Sequence, residues 1–308
     1  MRALLVVNTA ATATTGKTRD VIARALASEL KVDVVETTHR GHAAEFGTQA
    51  LRDGVDMVVV LGGDGTVNEV VNGLLVDGPS PHVPTLAVVP GGSTNVFSRA
   101  LGLSRNPVEA TAEILDSVRA GHPRLINLGR ADERWFTFTA GFGYDADVVH
   151  RVEGLRAGGR PSTHGLYLRA AIAQFYASRT RRRGPITMRI EGAPDQSGFF
   201  LCVAANTEPW TFLGPRPVTL IPGADFDSGL DLYALRRTGT IRMLAHAVRA
   251  LRGREPARHG SVRTISDARD VLLTGARPLG VQVDGDYLGQ QPTLRLRSVS
   301  AALQVVAP

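Results

Sequence analysis

Residues 57–75, MVVVLGGDGTVNEVVNGLL, constrain the fold more than any other stretch of the chain. Met57 to Leu61 is an unbroken apolar run bounded by turn formers, which predicts a buried strand. The run ends at Gly62, Gly63, Asp64, Gly65 and Thr66, where three glycines allow a tight turn and a close approach of ligand to backbone. Val67, Val70, Val71, Leu74 and Leu75 then recur at helical spacing and predict a helix. Strand, glycine loop and helix in that order aim free N–H groups and the positive end of a helix dipole at one point, which suits phosphate. A glycine turn that holds no ligand is the alternative.

The chain has 308 residues and 43% hydrophobic content, enough for two domains or one large one with a proper core. No apolar stretch approaches the roughly 20 residues needed to cross a bilayer. The opening MRALLVVNTA leads into a strand-like run and does not read as a secretory signal. The single cysteine, Cys202, lies in an apolar run and is expected in the core. These features point to a cytoplasmic protein. Lys and Arg outnumber Asp and Glu by 35 to 29, a formal charge of +6. Nucleic acid, acidic membrane surfaces and anionic substrates all fit that sign, but no recognisable nucleic-acid motif is present. The one dense basic cluster, at 179–183, reads as a helix end opposing the dipole or as a contact for anionic lipid.

In order along the chain, 2–8 reads as a buried strand and 17–30 as a helix with Val21, Ala25, Leu26 and Leu30 on its apolar face. Between them, ATATTGKT has the Gly16-Lys17-Thr18 ending of a phosphate loop but carries Ala11 where the first glycine belongs. An alanine there obstructs the wrapping of amides around phosphate, although Lys17 can still reach one. Strands at 32–36 and 85–89 and helices at 43–52, near Phe97 and Leu101, and at 108–119 complete an alternation of strand and helix. That alternation predicts a mostly parallel α/β sheet, with its glycine loops facing one crevice at the strand ends. From about 123 the pattern changes to short, often alternating runs: LINLG, WFTFTAGFG, ITMRIEG, FFLCVAAN, PVTLI, LDLYAL, VLLTG, LGVQVDG, TLRLR and ALQVV. These predict an antiparallel β-sandwich or barrel, with helices inserted at 144–153, 164–182 and 240–253. We expect two domains: an α/β nucleotide-binding domain over 1–123 and a β-sandwich domain over 124–308, whose last residues can pack back on the first. The stretch 151–165 is expected to be the most mobile loop.

Two motifs, GGDGTVNEVVNGL at 62–74 and PGGSTNVFSRALGL at 90–103, together resemble the diacylglycerol kinase catalytic family, which includes bacterial lipid kinases and sphingosine and ceramide kinases. Further along, AGFGYDADVV at 140–149, Asn206, PGADFDSGLDL at 222–232 and VQVDGDYLG at 281–289 extend the resemblance over nearly the whole chain. NAD kinases share the GGDGT string, but the second motif and the Asp-Gly-acid motif favour lipid kinases. The resemblance implies an α/β domain and a mainly antiparallel β-sandwich domain, with the active site in the cleft between them. It implies ATP and Mg²⁺, and as substrate a lipid such as diacylglycerol met at the inner membrane surface by a cytoplasmic enzyme. A homodimer is left open.

By that resemblance the nucleotide phosphates lie against Gly62, Gly63, Asp64, Gly65, Thr66, Asn68 and Glu69, with Thr37, Ser93 and Asn95 completing the site. Asp64 cannot touch phosphate directly without repulsion, so it is expected to hold Mg²⁺ or a water on it; helix capping is the alternative. Asp286 occupies the position of the family's general base, a task that suits a carboxylate within reach of an alcohol. A hairpin turn, Val-Asp-Gly-Asp, is the alternative role for its loop. Asp225 and Asp227 are the candidate metal ligands. The chain departs from the family pattern at Val96, where an acid is usual, at Ser228 before Gly229-Leu230, and at Asp286, which stands in place of glutamate. Those departures motivate a rival reading, a nucleotide- or lipid-binding protein that has lost catalysis. The apolar loop 209–215 is expected to line an acyl entrance or to pack between domains, and Tyr167, Leu168, Ala171, Ile172 and Phe175 to face a core.

Overall fold

The computed structural model describes residues 1–11, 14–157, 174, 184–236, 239–256 and 260–308. The basic cluster at 179–183, the apolar set from Tyr167 to Phe175, residues 158–165 of the expected loop at 151–165 and, but for residue 174, the expected helix at 164–182 lie outside them. The chain forms two compact units, one of residues 1–128 with 300–308 and the other of 129–299.

In the first unit, β1 (Arg2–Val7), β2 (Lys31–Glu36), β3 (Met57–Gly62) and β4 (Thr85–Pro90) alternate with α1 (Gly16–Ala27), α2 (His42–Asp53), α3 (Asp64–Leu74), α4 (Val96–Ala100) and α5 (Pro107–Ala120). The strands pair in parallel in the order β2-β1-β3-β4. Central β3 is buried along its whole length, whereas edge strand β2 alternates exposed and half-buried residues. All five apolar residues of the α3 stripe, Val67 to Leu75, are buried. On α1 the buried residues are Ile22 and Leu26, with Leu30 just beyond, while Val21 is exposed. The apolar face is therefore turned one residue from the expected one. The chain end closes this unit: Val305 pairs with Leu86, and the Val306 N–H donates to the Leu86 carbonyl at 2.9 Å.

The second unit is β-rich. It comprises β5 (Arg124–Ala131), β6 (Arg134–Phe136), β7 (Thr139–Gly143), β8 (Ile186–Ile190), β9 (Gln196–Ala205), β10 (Thr211–Leu213), β11 (Arg216–Val218), β12 (Leu230–Arg236), β13 (Val262–Ala268), β14 (Asp270–Val283) and the start of β15 (Asp286–Val305), with α6 (Tyr144–Ala157) and α7 (Thr240–Leu251). β13, β12, β9, β7, β14 and β15 follow one another through antiparallel pairings. β7 and β8 lie in line, each pairing with a different half of β9 and β14. The expected single strand over WFTFTAGFG is broken at Thr137 and Phe138, and the four expected C-terminal runs merge into two long strands. Both faces of β9 are buried: Phe199 and Cys202 join one apolar cluster, Phe200 and Val203 the other. Cys202 is the buried core cysteine expected of it.

Candidate active site

In the first unit the two glycine loops are built against each other. β3 delivers Gly62 and Gly63, and the Gly91 N–H at the end of β4 donates to the Gly62 carbonyl at 2.8 Å. A Cβ on Gly92 would lie 2.7 Å from Gly63 Cα, so only glycine permits this approach. Asn95, in the left-handed region at φ 50°, clamps its own loop: its Oδ1 accepts from the Gly92 N–H and its Nδ2 donates to the Gly92 carbonyl, both at 2.8 Å. Asp64 ties the loops together, because its Oδ1 accepts from the Phe97 N–H at 3.1 Å. The capping alternative therefore describes this oxygen, although the helix it serves is α4 and not its own.

Around the start of α3, the space that a Cβ on Gly65 would take is open to 4 Å. Thr66 is buried and its hydroxyl accepts from Asn8 Nδ2 at 2.8 Å, and Asn68, two residues on, is buried as well. Glu69 turns its carboxylate toward the start of α2. Its two carboxylate oxygens accept from the Gly41 N–H at 2.9 Å and the Ala43 N–H at 3.2 Å, so it caps α2, whose N-cap Gly41 has no side chain for the task. Thr37 is half-buried at the end of β2, and its N–H donates to the Val7 carbonyl. Ser93 is exposed on the second loop. The ATATTGKT stretch starts a helix: Thr15 caps α1 by accepting from the Thr18 N–H at 3.1 Å. Thr14 carries a buried hydroxyl without a hydrogen-bond partner, placed 2.7 Å from where a Cβ on Gly91 would sit. Arg99 adds positive charge beside these loops. Burial and the neighbouring Arg105 push its guanidinium down to about 10 while Asp64 opposes them, so it stays charged at neutral pH.

In the second unit Asp286 begins β15. Val283 pairs with Asp286 across Asp284 and Gly285, whose φ values of 49° and 85° make a two-residue hairpin of the mirror-image turn type. The hairpin reading of the loop is thus realised, and it presents Asp286 half-buried at the strand start. Sequence reasoning missed the groups that hold it there. Buried Asp284 accepts from the N–H groups of Thr137, Phe138 and Thr139 and from the Thr137 hydroxyl, at 2.7–3.0 Å. Burial pushes its carboxyl upward against those four donors. Gln282 Oε1 accepts from the Gly285 N–H at 3.0 Å, and its Nε2 donates to Asp145 at 2.7 Å. Asp145 is fully buried, and burial raises its carboxyl to about 6 against the bond from Gln282. From α6, Glu153 accepts from the Tyr287 N–H at 3.1 Å and the His150 ring packs on Tyr287. The break of the expected strand at Thr137 and Phe138 belongs to this anchor, since the backbone N–H groups of both residues donate to Asp284.

The acidic loop is held by its own backbone amides. Asp225 Oδ1 accepts from the N–H groups of Asp227 and Ser228 at 3.0 and 2.8 Å, closing the loop on itself. Gly229 N–H donates to Asp267 at 2.8 Å, and the Asp267 N–H to buried Asp231 at 3.0 Å. Among the described residues no group of three His, Cys, Asp or Glu side chains is arranged to hold a metal ion. The amides of Asp227 and Ser228 engage one oxygen of Asp225. The apolar loop at 209–215 packs inward: Phe212 is buried in the β10–β11 hairpin and Trp210 lies against the cluster of Tyr144 and Phe200. No helix among the described residues is long and apolar enough to cross a membrane.

Residues 2–131 match the family model described as the diacylglycerol kinase catalytic domain. A diacylglycerol kinase of Bacillus subtilis (strain 168) is 28% identical over 264 residues, which is 83% of this chain and 79% of that protein. One of Staphylococcus carnosus (strain TM300) is 25% identical over 257 residues, 83% of this chain and 78% of that protein. A crystal structure of a diacylglycerol kinase from Bacillus anthracis (strain Sterne) superposes with a TM-score of 0.74 at 21% identity, covering 100% of this chain and 97% of that one. This last likeness shows the fold.

Proposed function

We propose that this chain is a lipid kinase, a reading supported by the match of residues 2–131 to the diacylglycerol kinase catalytic domain and by its similarity to bacterial diacylglycerol kinases. It transfers the γ-phosphate of ATP to the hydroxyl of a lipid such as diacylglycerol. The observation that carries the reading is the pair of interlocked glycine loops, joined by the Asp64 to Phe97 bond and the Gly91 to Gly62 bond, with open space at Gly65.

Phosphoryl transfer asks a protein mainly for positioning, charge neutralisation and a base. The start of α3 supplies N–H groups and the positive end of its dipole to the phosphates. Arg99 and the Thr14 hydroxyl stand beside the loops as a cation and a spare donor. Ser93 and Thr37 have hydroxyls at the loop ends, while Glu69 and Asn95 shape the backbone. In this reading Asp286 takes the proton of the lipid hydroxyl, and Asp284, Gln282 and Glu153 hold it in position. Mg²⁺ would accompany ATP, with Asp225 and Asp227 as the candidate ligands of a further ion.

The test is transfer of labelled phosphate from ATP into a mixed lipid extract, with the product identified by mass. A phosphorylated lipid alcohol is the expected product. Phosphorylation of NAD in its place would make the chain an NAD kinase, and ATP binding without turnover over a broad lipid panel would leave a binding protein.

A further inference from the structure

Helix α7 has two apolar faces. Successive helical residues turn about 100°, so Met243, His246 and Ala250 share one arc. His246 and Ala250 are buried, Met243 packs on the cluster of Tyr233 and Leu235, and the Thr219 N–H beyond β11 donates to the Ala250 carbonyl at 3.1 Å. That face seats the helix. Ile241, Leu244, Val248 and Leu251 share a second arc, about 80° wide and on the far side of the helix. They are 86%, 64%, 37% and 41% exposed. The other large apolar residues exposed among the described ones are scattered singly, which is ordinary for a protein surface. Four in one stripe are not.

Charge identifies what the stripe meets. Arg252 borders it, Arg242 and Arg249 lie about 80–100° further round the same side, with Arg249 Nε donating to the Glu255 carbonyl at 2.8 Å, Arg254 follows, and residues 240–254 contain no acid. An aliphatic stripe edged by arginines is the pattern of a helix lying in an anionic membrane interface. A second copy of the chain fits it poorly, because a two-fold pairing of this helix would set arginine against arginine. The stripe, about 15 Å along a helix about 10 Å across, also offers an area on the order of 150 Å², far short of the roughly 800 Å² per partner that a stable complex buries.

We propose that the outer face of α7 docks the protein on a membrane rich in anionic phospholipid, with Ile241, Leu244, Val248 and Leu251 in the acyl boundary and the arginines among the headgroups. This rests on the lipid-kinase reading for its purpose, since a kinase of a membrane lipid must work at that surface, but its test stands apart.

Sedimentation with vesicles of equal parts phosphatidylglycerol and phosphatidylcholine, and with phosphatidylcholine alone, reads the docking directly. The full chain is expected to bind the anionic vesicles, more weakly as salt rises, and the neutral ones little. The double variant Leu244→Ser with Val248→Ser, both exposed and so harmless to folding, should bind at least about tenfold more weakly with its thermal midpoint unchanged. Arg242→Gln with Arg252→Gln should lose the preference for anionic vesicles. Binding by the serine variant equal to the parent, or no binding of the parent to anionic vesicles, overturns the proposal. So does a parent dimer that the serine variant dissolves without loss of vesicle binding, which would put a second copy on the stripe. If docking behaves as expected and no lipid is phosphorylated, the kinase reading falls and the docking surface stands.

Discussion

The Phe97 N–H donates to Oδ1 of Asp64 at 3.1 Å, linking positions 33 residues apart. The acid of the first glycine loop therefore holds the start of the helix that follows the second. Through this contact the carboxylate gains a partner other than phosphate, and the two loops hold one shape.

Asp64→Ala removes that acceptor from the N–H of buried Phe97. The expected loss is about 1–2 kcal/mol of stability, together with a fall in ATP affinity as the loops separate. Asp64→Asn keeps an oxygen in place and should lose less than about 0.5 kcal/mol. Denaturant unfolding of both variants, paired with ATP titration, checks this, and an alanine variant as stable as the parent would show that the bond contributes nothing.

Gly65→Val places a side chain in space the protein leaves open, so the fold should survive. The same side chain occupies the approach of a phosphate to the backbone, and ATP affinity should fall by at least about tenfold. Calorimetric titration reads this. Unchanged binding by a folded variant removes phosphate from this loop.

Asp284 and Asp286 are neighbours with opposite expected phenotypes. Asp284→Ala strands three buried N–H groups and a hydroxyl and should cost about 3–5 kcal/mol. Asp286→Asn should leave stability within about 0.5 kcal/mol, leave ATP affinity unchanged, and lower lipid phosphorylation by about 10²–10⁴. Asp286→Glu, which restores the family's residue, should keep activity. An asparagine variant with full activity sinks the role of base.

Asp145 gives a pH signature. Its folded value of about 6 lies above the ordinary 3.8, so the native state holds this proton more tightly than the unfolded chain does. The stability it contributes is whole below about pH 4 and is lost as pH rises through about 6, amounting to about 2–3 kcal/mol. Asp145→Asn keeps an acceptor for Gln282 and cannot ionise, so it should be more stable than the parent at pH 8 by up to that amount and lose the advantage at pH 4. Equal slopes of stability against pH for the two proteins between pH 4 and 7 would contradict the assignment.

Elements with a single dominant period were legible without coordinates. β3 and α3 follow from an apolar run and a 3.6-residue stripe, because burial on one side of a local element leaves its mark within a dozen residues. The glycines at 62–65 and 91–92 were readable as close-approach positions for the same reason, and the resemblance supplied their ligand. On α1 a competing set of aliphatic residues made Val21 look as apolar as Ile22, and only packing chose between them.

What the sequence determined by itself was the type of each strong element and the residues that can cradle phosphate, since these depend on local period and local backbone freedom. Tertiary structure decided which polar groups those residues meet. That Asp64 caps α4, that Glu69 caps α2, that Asp225 closes its own loop and that Asp284 anchors Asp286 from 137–139 are all choices of hydrogen-bond partner. A carboxylate must satisfy its oxygens with whichever donors the fold brings within about 3 Å. Those donors are backbone N–H groups that every residue type carries, so their pairing leaves no trace in the order of the side chains.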